Sequence, residues 1–418
     1  MILVDVDLAA LLLLPIVAAV ACRLRPGYTA LVTVLAAVIS AACLLLLPVD
    51  REVGGGGLAL AVSGFGKGAL WLSLLGVSLA VLSFNRRPGA DGSVAWCAHL
   101  FAVLAVSARS PLMLLGAVLL LAQLLPRLGD EDIPRLGWSR SLCAGAALVT
   151  AGVGMTLAPH PPLTDHANTA LLILGFMVML GAAPFTGGLR QWLVESRPRL
   201  ALLAVTCVVP PLVAAMVNDL GVISALHEGA SAGIAVAAFG ALTLLVGALP
   251  QLRAEGWRSL AADGAIADLG LALVGVGSFE ITGLQGASLA LLVMALARPF
   301  LYLLDEIEMS GTWAWLGAGA ALFAAAGLPP TVGFAARLLV LAAAFRLHPL
   351  IAAVVVVGVV IEVFASARLL FLLGVPRSRS SRPVAPTAVT TVSAAVALLC
   401  VAAGLAPKAL LTYVWSLG

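Results

Sequence analysis

Ala326-Gly327-Leu328-Pro329-Pro330-Thr331-Val332-Gly333-Phe334-Ala335-Ala336-Arg337 interrupts an apolar run that begins near Trp313 and continues to Ala344. Two consecutive prolines lack backbone N–H donors and clash with the turn before them, so a helix through this stretch must break. In hydrocarbon a broken backbone persists only where protein or enclosed water satisfies the freed carbonyls. Arg337, seven residues past Pro330, brings a charge to the same depth. Ions there are costly and mark either an ion path or a paired structural charge. Taken alone, the segment reads equally well as a proline kink with an arginine reaching for the interface.

The composition fixes the setting. With 62% hydrophobic residues, 10% charged residues and a mean hydropathy of +1.13, the chain lies far from the ~25% charged of a soluble domain. It reads as an all-α polytopic membrane protein. No polar stretch is long enough for a separate soluble domain, so a redox centre or nucleotide site would come from partners, and no cofactor is expected in this chain. A net charge of +3 gives nucleic-acid binding no support. The cysteines Cys22, Cys43, Cys97, Cys143, Cys207 and Cys400 stand singly in apolar runs without metal-ligand spacing and read as small buried hydrophobes. Gly54 to Gly57 follows no strand and reads as an external loop rather than a phosphate cradle.

A spanning helix needs ~20 apolar residues. Fourteen such runs are expected: 7–22, 28–47, 67–84, 94–108, 111–125, 141–157, 167–185, 200–217, 230–249, 260–277, 283–304, the broken 313–344, 349–373 and 387–415. The first, without a basic leader or cleavage site, reads as a retained helix. Fifteen Lys or Arg residues fall in loops after odd-numbered helices and five on the other side, which places both termini outside the cytoplasm. The loop Asp305-Glu306-Ile307-Glu308 is the acidic exception on the cytoplasmic side, facing a basic partner surface. Trp71, Trp96, Trp138, Trp192, Trp257 and Trp415 are expected as interfacial anchors near helix ends. His99, His160, His166, His227 and His348 are expected at helix ends or in loops. Ser378 to Pro383 reads as a solvated loop near anionic headgroups.

A second break, Leu180-Gly181-Ala182-Ala183-Pro184-Phe185, falls late in the seventh run, before the polar Thr186-Gly187-Gly188-Leu189-Arg190. Paired interruptions in two halves point to an inverted-repeat transporter with its path at the repeat interface. The organisation expected is residues 1–92 as three N-terminal helices, 93–218 and 230–373 as two five-helix repeats with broken seventh and twelfth helices, and 387–418 as a last helix.

These residues resemble a family. Gly327 to Arg337 looks like the Gly-x-Pro-Pro-x-x-Gly-Phe-x-x-Lys signature of the antiporter-like membrane subunits of respiratory complex I (NADH:quinone oxidoreductase). Related subunits occur in Mrp sodium/proton antiporters and group 4 membrane-bound hydrogenases. Met179 to Thr186 is similar to the family's Lys-x-Gly-Ala-x-Pro-Phe-His. Arg258 to Gly270 is similar to its Lys-Arg-Leu-Leu-Ala-Tyr-Ser-Ser-Ile-x-His-x-Gly, Ala295 to Leu301 to Ala-Leu-x-Lys-x-x-Leu, and Ser366-Ala367-Arg368 to Tyr-Leu-Arg. The resemblance implies fourteen helices, two inverted five-helix repeats and edge-to-edge assembly with related membrane subunits.

The departures carry as much as the matches. The ionisable positions that the resemblance implies for the first half fall on Leu119, Met179 and Pro210, and a histidine position on Thr186. None of the first three can titrate, so the family's route through the first half is expected to be lost. In the second half Arg298 and Arg337 stand at lysine positions, Asp268 at a histidine and Asp263 at a tyrosine. Arginine does not release its proton in a protein. Arg298 and Arg337 are therefore expected to pair with Asp263, Asp268 or Glu362 in a fixed buried network, with Arg258 and Arg368 nearby.

The function expected is a degenerate antiporter-like subunit of a complex I-like, hydrogenase-like or Mrp-like assembly, either a scaffold or a partial proton path. It has no catalytic centre of its own. Its partners would be other membrane subunits, cytoplasmic redox or enzyme subunits, lipid and quinone within the complex. Its place would be a bacterial inner membrane. A stand-alone secondary transporter for a small solute and a membrane partner of a soluble enzyme, such as an inorganic-carbon capture system, are the alternatives.

Overall fold

The computed structural model describes residues 2–49, 60–83, 88–108, 110–128, 137–156, 163–224, 229–306, 312–373 and 387–413. The tetraglycine at 54–57, the acidic stretch beyond Glu306, the 378–383 loop, His160, His227 and Trp415 lie outside the described residues. Within them every regular element is helical, apart from a single antiparallel bridge between Leu60 and Ala108. Among the described residues eight helices are long and apolar enough to cross a membrane, and further apolar helices are shorter. The chain is a multi-pass membrane protein.

The chain divides into two compact units. The first comprises Met1–Gly181 and Leu203–Glu228; the second comprises Ala182–Leu202 and Gly229–Tyr413. In the first unit α1 (Ile2–Leu24), α2 (Thr29–Leu46), α3 (Gly64–Ser83), α4 (Pro88–Ser107), α5 (Pro111–Leu128), α6 (Gly137–Thr156) and α7 (Leu163–Leu180) follow one another. Pro111, which fits the first turn of a helix and no later one, keeps α4 and α5 apart. Next in the chain come α8 (Thr186–Glu195) and α9 (Pro198–Leu203), then a π-turn over Ala204–Val208 that runs into α10 (Val209–Ser224). Pro210 and Pro211 supply no N–H to the carbonyls of the preceding turn, and a widened turn is one way to absorb that loss. Thr206 in this turn packs against Gly76 of α3, where a Cβ would collide with it.

The second unit contains α11 (Gly229–Gln251), α12 (Trp257–Gly277), α13 (Ile281–Glu306), α14 (Thr312–Ala326), α15 (Val332–Leu347), α16 (Pro349–Leu373), α17 (Thr387–Leu405) and α18 (Pro407–Tyr413). Its axis is α12, buried without interruption from Leu260 to Gly277. α11 and α13 flank it, α15 packs on α13, α16 on α11 and α17 on α14. In lipid, helix association depends on close backbone approach rather than on expelling water. α11 and α12 achieve it with glycine. Gly233, Gly240 and Gly247 recur every seventh residue along α11, and Gly270 and Gly277 do so along α12. A Cβ at Gly240 would strike the Val274 amide, and one at Gly270 the Leu244 amide.

Both breaks fall where the sequence places them. α7 ends at Leu180 on Gly181 (φ 63°), and α14 ends at Ala326 on Gly327 (φ 72°), each followed three residues later by a proline, Pro184 or Pro330. A left-handed glycine just past the last turn is a common helix stop. At fifteen and sixteen residues, α14 and α15 each rise only about 22 to 24 Å, short of the ~30 Å hydrocarbon thickness. The second break therefore sits inside the span. The first departs from expectation in one respect: the polar stretch after Pro184, read as a loop, forms α8, which packs on α12.

Three tryptophans expected at the interface are core residues instead. Trp96, Trp138 and Trp192 are buried. The indole N–H of Trp96 donates to Thr33 Oγ1 (3.4 Å), and that of Trp138 to the Met179 carbonyl near the end of α7 (3.2 Å). With its N–H bonded an indole can pack inside a bundle, which near-end positions in the sequence do not reveal.

Gly270→Leu is expected to lower the thermal unfolding midpoint in detergent by an amount matching ~1 to 3 kcal/mol of overpacking. Gly116→Leu, where a Cβ meets nothing within 4 Å, is expected to leave the midpoint unchanged. Fluorescence-detected unfolding of the two variants checks both.

Candidate functional site

α14 ends inside the span, so the carbonyls of its last turn have no helical partner. Two arginines reach them. Arg337, one turn into α15, donates from Nη2 to the Ala325 carbonyl (2.6 Å), and from Nη1 to those of Gly333 (3.2 Å) and Ala324 (3.5 Å). Arg298, from α13, donates Nη2 to the same Ala325 carbonyl (3.3 Å). Thr331 closes the break with its hydroxyl on the Leu328 carbonyl at 2.6 Å.

The same guanidinium groups meet two carboxylates. Arg298 Nε donates to Asp268 Oδ2 at 2.7 Å, and its Nη2 to Glu362 Oε1 at 3.1 Å. Arg337 Nη2 donates to Glu362 Oε2 at 2.5 Å. The Gln251 amide adds a 3.4 Å bond to Glu362 Oε1. Arg298 is 0% exposed, Asp268 and Glu362 1%, Arg337 4%. Two cations and two anions, all withdrawn from solvent, join α11, α12, α13, α14, α15 and α16 in one cluster of zero net charge. Small residues make the space. A Cβ at Gly264 would overlap the Arg298 guanidinium, and one at Gly327 the Arg337 side chain.

Four of the residues singled out in the sequence thus converge: Arg298, Arg337, Asp268 and Glu362. Asp263 does not join them. Its carboxylate takes the Arg190 fork, Nε to Oδ1 at 2.5 Å and Nη2 to Oδ2 at 3.1 Å. Five residues separate Asp263 from Asp268, about 500° of helical rotation, so the two carboxylates point roughly 140° apart around α12. Asp263 faces a pocket of about 740 Å³ lined also by Arg190, Arg253, Glu255 and Ser259. Arg368 is likewise outside the cluster. Its Nη1 donates to the Leu252 and Ala254 carbonyls (2.6 and 3.2 Å), closing the end of α11. Arg258 lies half-buried in the first turn of α12. With Arg298 and Asp263 it is a charged neighbour of the buried Tyr302 hydroxyl.

The other positions singled out in the sequence have these surroundings. Leu119 is 42% exposed on α5; Met179 is fully buried near the end of α7; Pro210 is buried in α10; Thr186 opens α8, 9% exposed. Arg190 and Gln251 were not singled out in the sequence, Arg190 because it looked like a loop residue and Gln251 because it closes an apolar run. His99 is a correction. It lies midway along α4, wholly buried, with Nδ1 and Ser73 Oγ 2.8 Å apart and its ring edge-on to Trp96. No group of three His, Cys, Asp or Glu able to hold a metal occurs among the described residues.

Chemically, the cluster holds charge in place. A guanidinium keeps its proton, and each carboxylate is engaged by a guanidinium rather than by a group that could exchange one. A lysine in place of Arg337 would bring one nitrogen to acceptors spread over two carbonyl turns and a carboxylate, which the planar fork reaches together.

No protein-family model and no curated protein matches the sequence. Solved structures do match its fold. A chain of respiratory complex I from Thermus thermophilus, with 22% identity, superposes at a TM-score of 0.80 over 96% of this chain and 98% of that one. A chain of the Mrp complex from Dietzia sp. DQ12-45-1b, 16% identical, gives 0.79 over 99% and 95%. A chain of the membrane-bound sulfane sulfur reductase, an archaeal respiratory membrane complex, is 19% identical and gives 0.78 over 96% and 76%. The fold is shared with chains of these three assemblies.

Glu362→Gln strands a buried positive charge and is expected to cost ~3 to 5 kcal/mol. Arg346→Gln, at a pair with Glu280 whose side chains are 63% and 39% exposed, is expected to cost about 1 kcal/mol or less. Chemical or thermal unfolding of the chain in detergent separates the two.

Proposed function

We propose that the chain is a non-pumping, antiporter-like subunit that acts as a structural member of a larger ion-translocating membrane complex. The observation that carries this reading is the Arg298–Asp268–Glu362–Arg337 cluster: at lysine and histidine positions of the resembled family stand fixed, mutually neutralised groups bonded to the carbonyls of a broken helix. Solved neighbours that share the fold across nearly the whole chain, each within a multi-component membrane complex, support the assembly. In this reading the chain makes fourteen crossings as two inverted five-helix repeats, with both termini outside the cytoplasm of a bacterial inner membrane. The first half, with Leu119, Met179 and Pro210 at the ionisable positions, carries no proton by the family's route. Other membrane subunits surround it, and redox or enzyme subunits with any quinone chemistry belong to those partners.

The test separates building from pumping. With the tagged chain isolated from native membranes, Arg337→Ala is expected to lower the recovered complex by about tenfold or more, as a loss beyond ~1.4 kcal/mol implies. The complex that still forms is expected to translocate the normal number of ions per turnover. Full assembly with a reduced ion stoichiometry would show instead that the cluster conducts.

A further inference from the structure

The pocket that Asp263 faces lies where two spans reach the membrane surface. The α11 span closes at Gln251 and the α12 span opens at Trp257. The lining runs from Leu249 in the last turn of α11, through Arg253 and Glu255 of the connecting turn, to Ser259 and Asp263 in the first turns of α12. At about 740 Å³ the pocket falls within the ~300 to 1,000 Å³ of ligand-binding clefts. Its polar groups are open to a ligand. Arg190 gives Nε and Nη2 to Asp263 and keeps Nη1 for a further acceptor. Arg253 and Glu255 are exposed and enter none of the ion pairs among the described residues. The Ser259 hydroxyl donates to the Gly256 carbonyl (3.1 Å), which leaves its oxygen as an acceptor. Two arginines and two carboxylates give this lining no net charge.

A second feature leads into the pocket from the bilayer. Ile234, Ala238, Leu242, Val246 and Leu249 are exposed at intervals of three or four residues, so they form one apolar stripe along α11, on the side away from the glycines that pack on α12. From Ile234 to Leu249 the stripe rises about 22 Å, more than the ~15 Å of one leaflet's hydrocarbon. Leu249 belongs to both the stripe and the pocket.

We propose that pocket and stripe together bind one phospholipid of the phosphatidylethanolamine class, its headgroup in the pocket and an acyl chain along α11. The phosphate accepts from the Arg253 guanidinium, whose fork suits two phosphate oxygens, and from Nη1 of Arg190. The primary ammonium donates to Glu255 and to Ser259 Oγ. Charge balance selects this headgroup over its rivals. Basic pockets between membrane helices hold anionic headgroups, but phosphatidylglycerol would meet Glu255 with no cation to offer it. A choline headgroup has the charge and no N–H to donate. A soluble phosphate ester has no use for the stripe. The inference goes beyond the proposed role in assembly, since a headgroup at this site is held whether or not the complex pumps.

Native mass spectrometry of the tagged full chain in detergent tests it, with phosphatidylethanolamine, phosphatidylcholine and phosphatidylglycerol of identical acyl chains added in turn. Phosphatidylethanolamine is expected to saturate the chain at about tenfold lower concentration than either of the others, the ratio that one charge-assisted hydrogen bond of ~1.4 kcal/mol gives. Glu255→Gln is expected to remove that advantage and favour phosphatidylglycerol, and Arg253→Gln to weaken all three about tenfold. The comparison on the unaltered chain stands without either variant. Equal binding of the three lipids, or a preference of the unaltered chain for phosphatidylglycerol, would overturn the headgroup assignment. Displacement by chainless glycerophosphoethanolamine at the concentration of the lipid itself would overturn the part of the α11 stripe. Variants that bind as the unaltered chain does would overturn the site.

Discussion

A helix that stops inside a membrane leaves carbonyls that water cannot reach, and the second unit is built around that demand. In the last turn of α14 the Ala325 carbonyl accepts from Arg298 and Arg337, and the Ala324 carbonyl from Arg337 and the Gly327 amide. Those cations in turn require Asp268 and Glu362. Each group would be expensive alone, since an unpaired buried charge costs far more than a paired one returns. Together they are mutually obligatory. The glycines follow from the same demand: Gly264 and Gly327 stand where a guanidinium lies against backbone, and neither place can hold a side chain.

This explains the use of arginine where a proton carrier would use lysine. An ammonium is a point donor whose proton leaves once burial and neighbours favour it; a guanidinium keeps its charge and spreads five N–H groups in a plane. Arg337 spends its terminal nitrogens on four acceptors. The arrangement trades exchangeability for reach. In the first unit Leu119, Met179 and Pro210 carry no charge: Leu119 is exposed, Met179 is buried, and Pro210 stands at the start of α10.

Much of this was legible in the sequence because it depends on local rules. Hydropathy located the helices, Pro329 and Pro330 located the break, and an arginine inside an apolar run had to find a carboxylate. The partner assignment was less legible. Helical spacing says that Asp263 and Asp268 diverge, but not that α8 would bring Arg190 to the former, because Thr186 to Arg190 has the polarity of a loop and becomes helical through packing on α12. Arg368 was drawn into the network by its charge, whereas its acceptors are main-chain carbonyls that no side-chain pattern displays. His99 and Trp96 were misplaced for a similar reason: the hydroxyls that bury them belong to α3 and α2, far away in sequence.

The neutrality of the cluster has an electrical meaning. A membrane potential does about 2.3 kcal/mol of work per elementary charge for every 100 mV it is moved through, and voltage-responsive proteins depend on a net charge free to travel. Here two positive and two negative groups are paired with one another, and both guanidinium groups are bonded to the Ala325 carbonyl. A membrane potential therefore finds no net charge in this cluster to pull on.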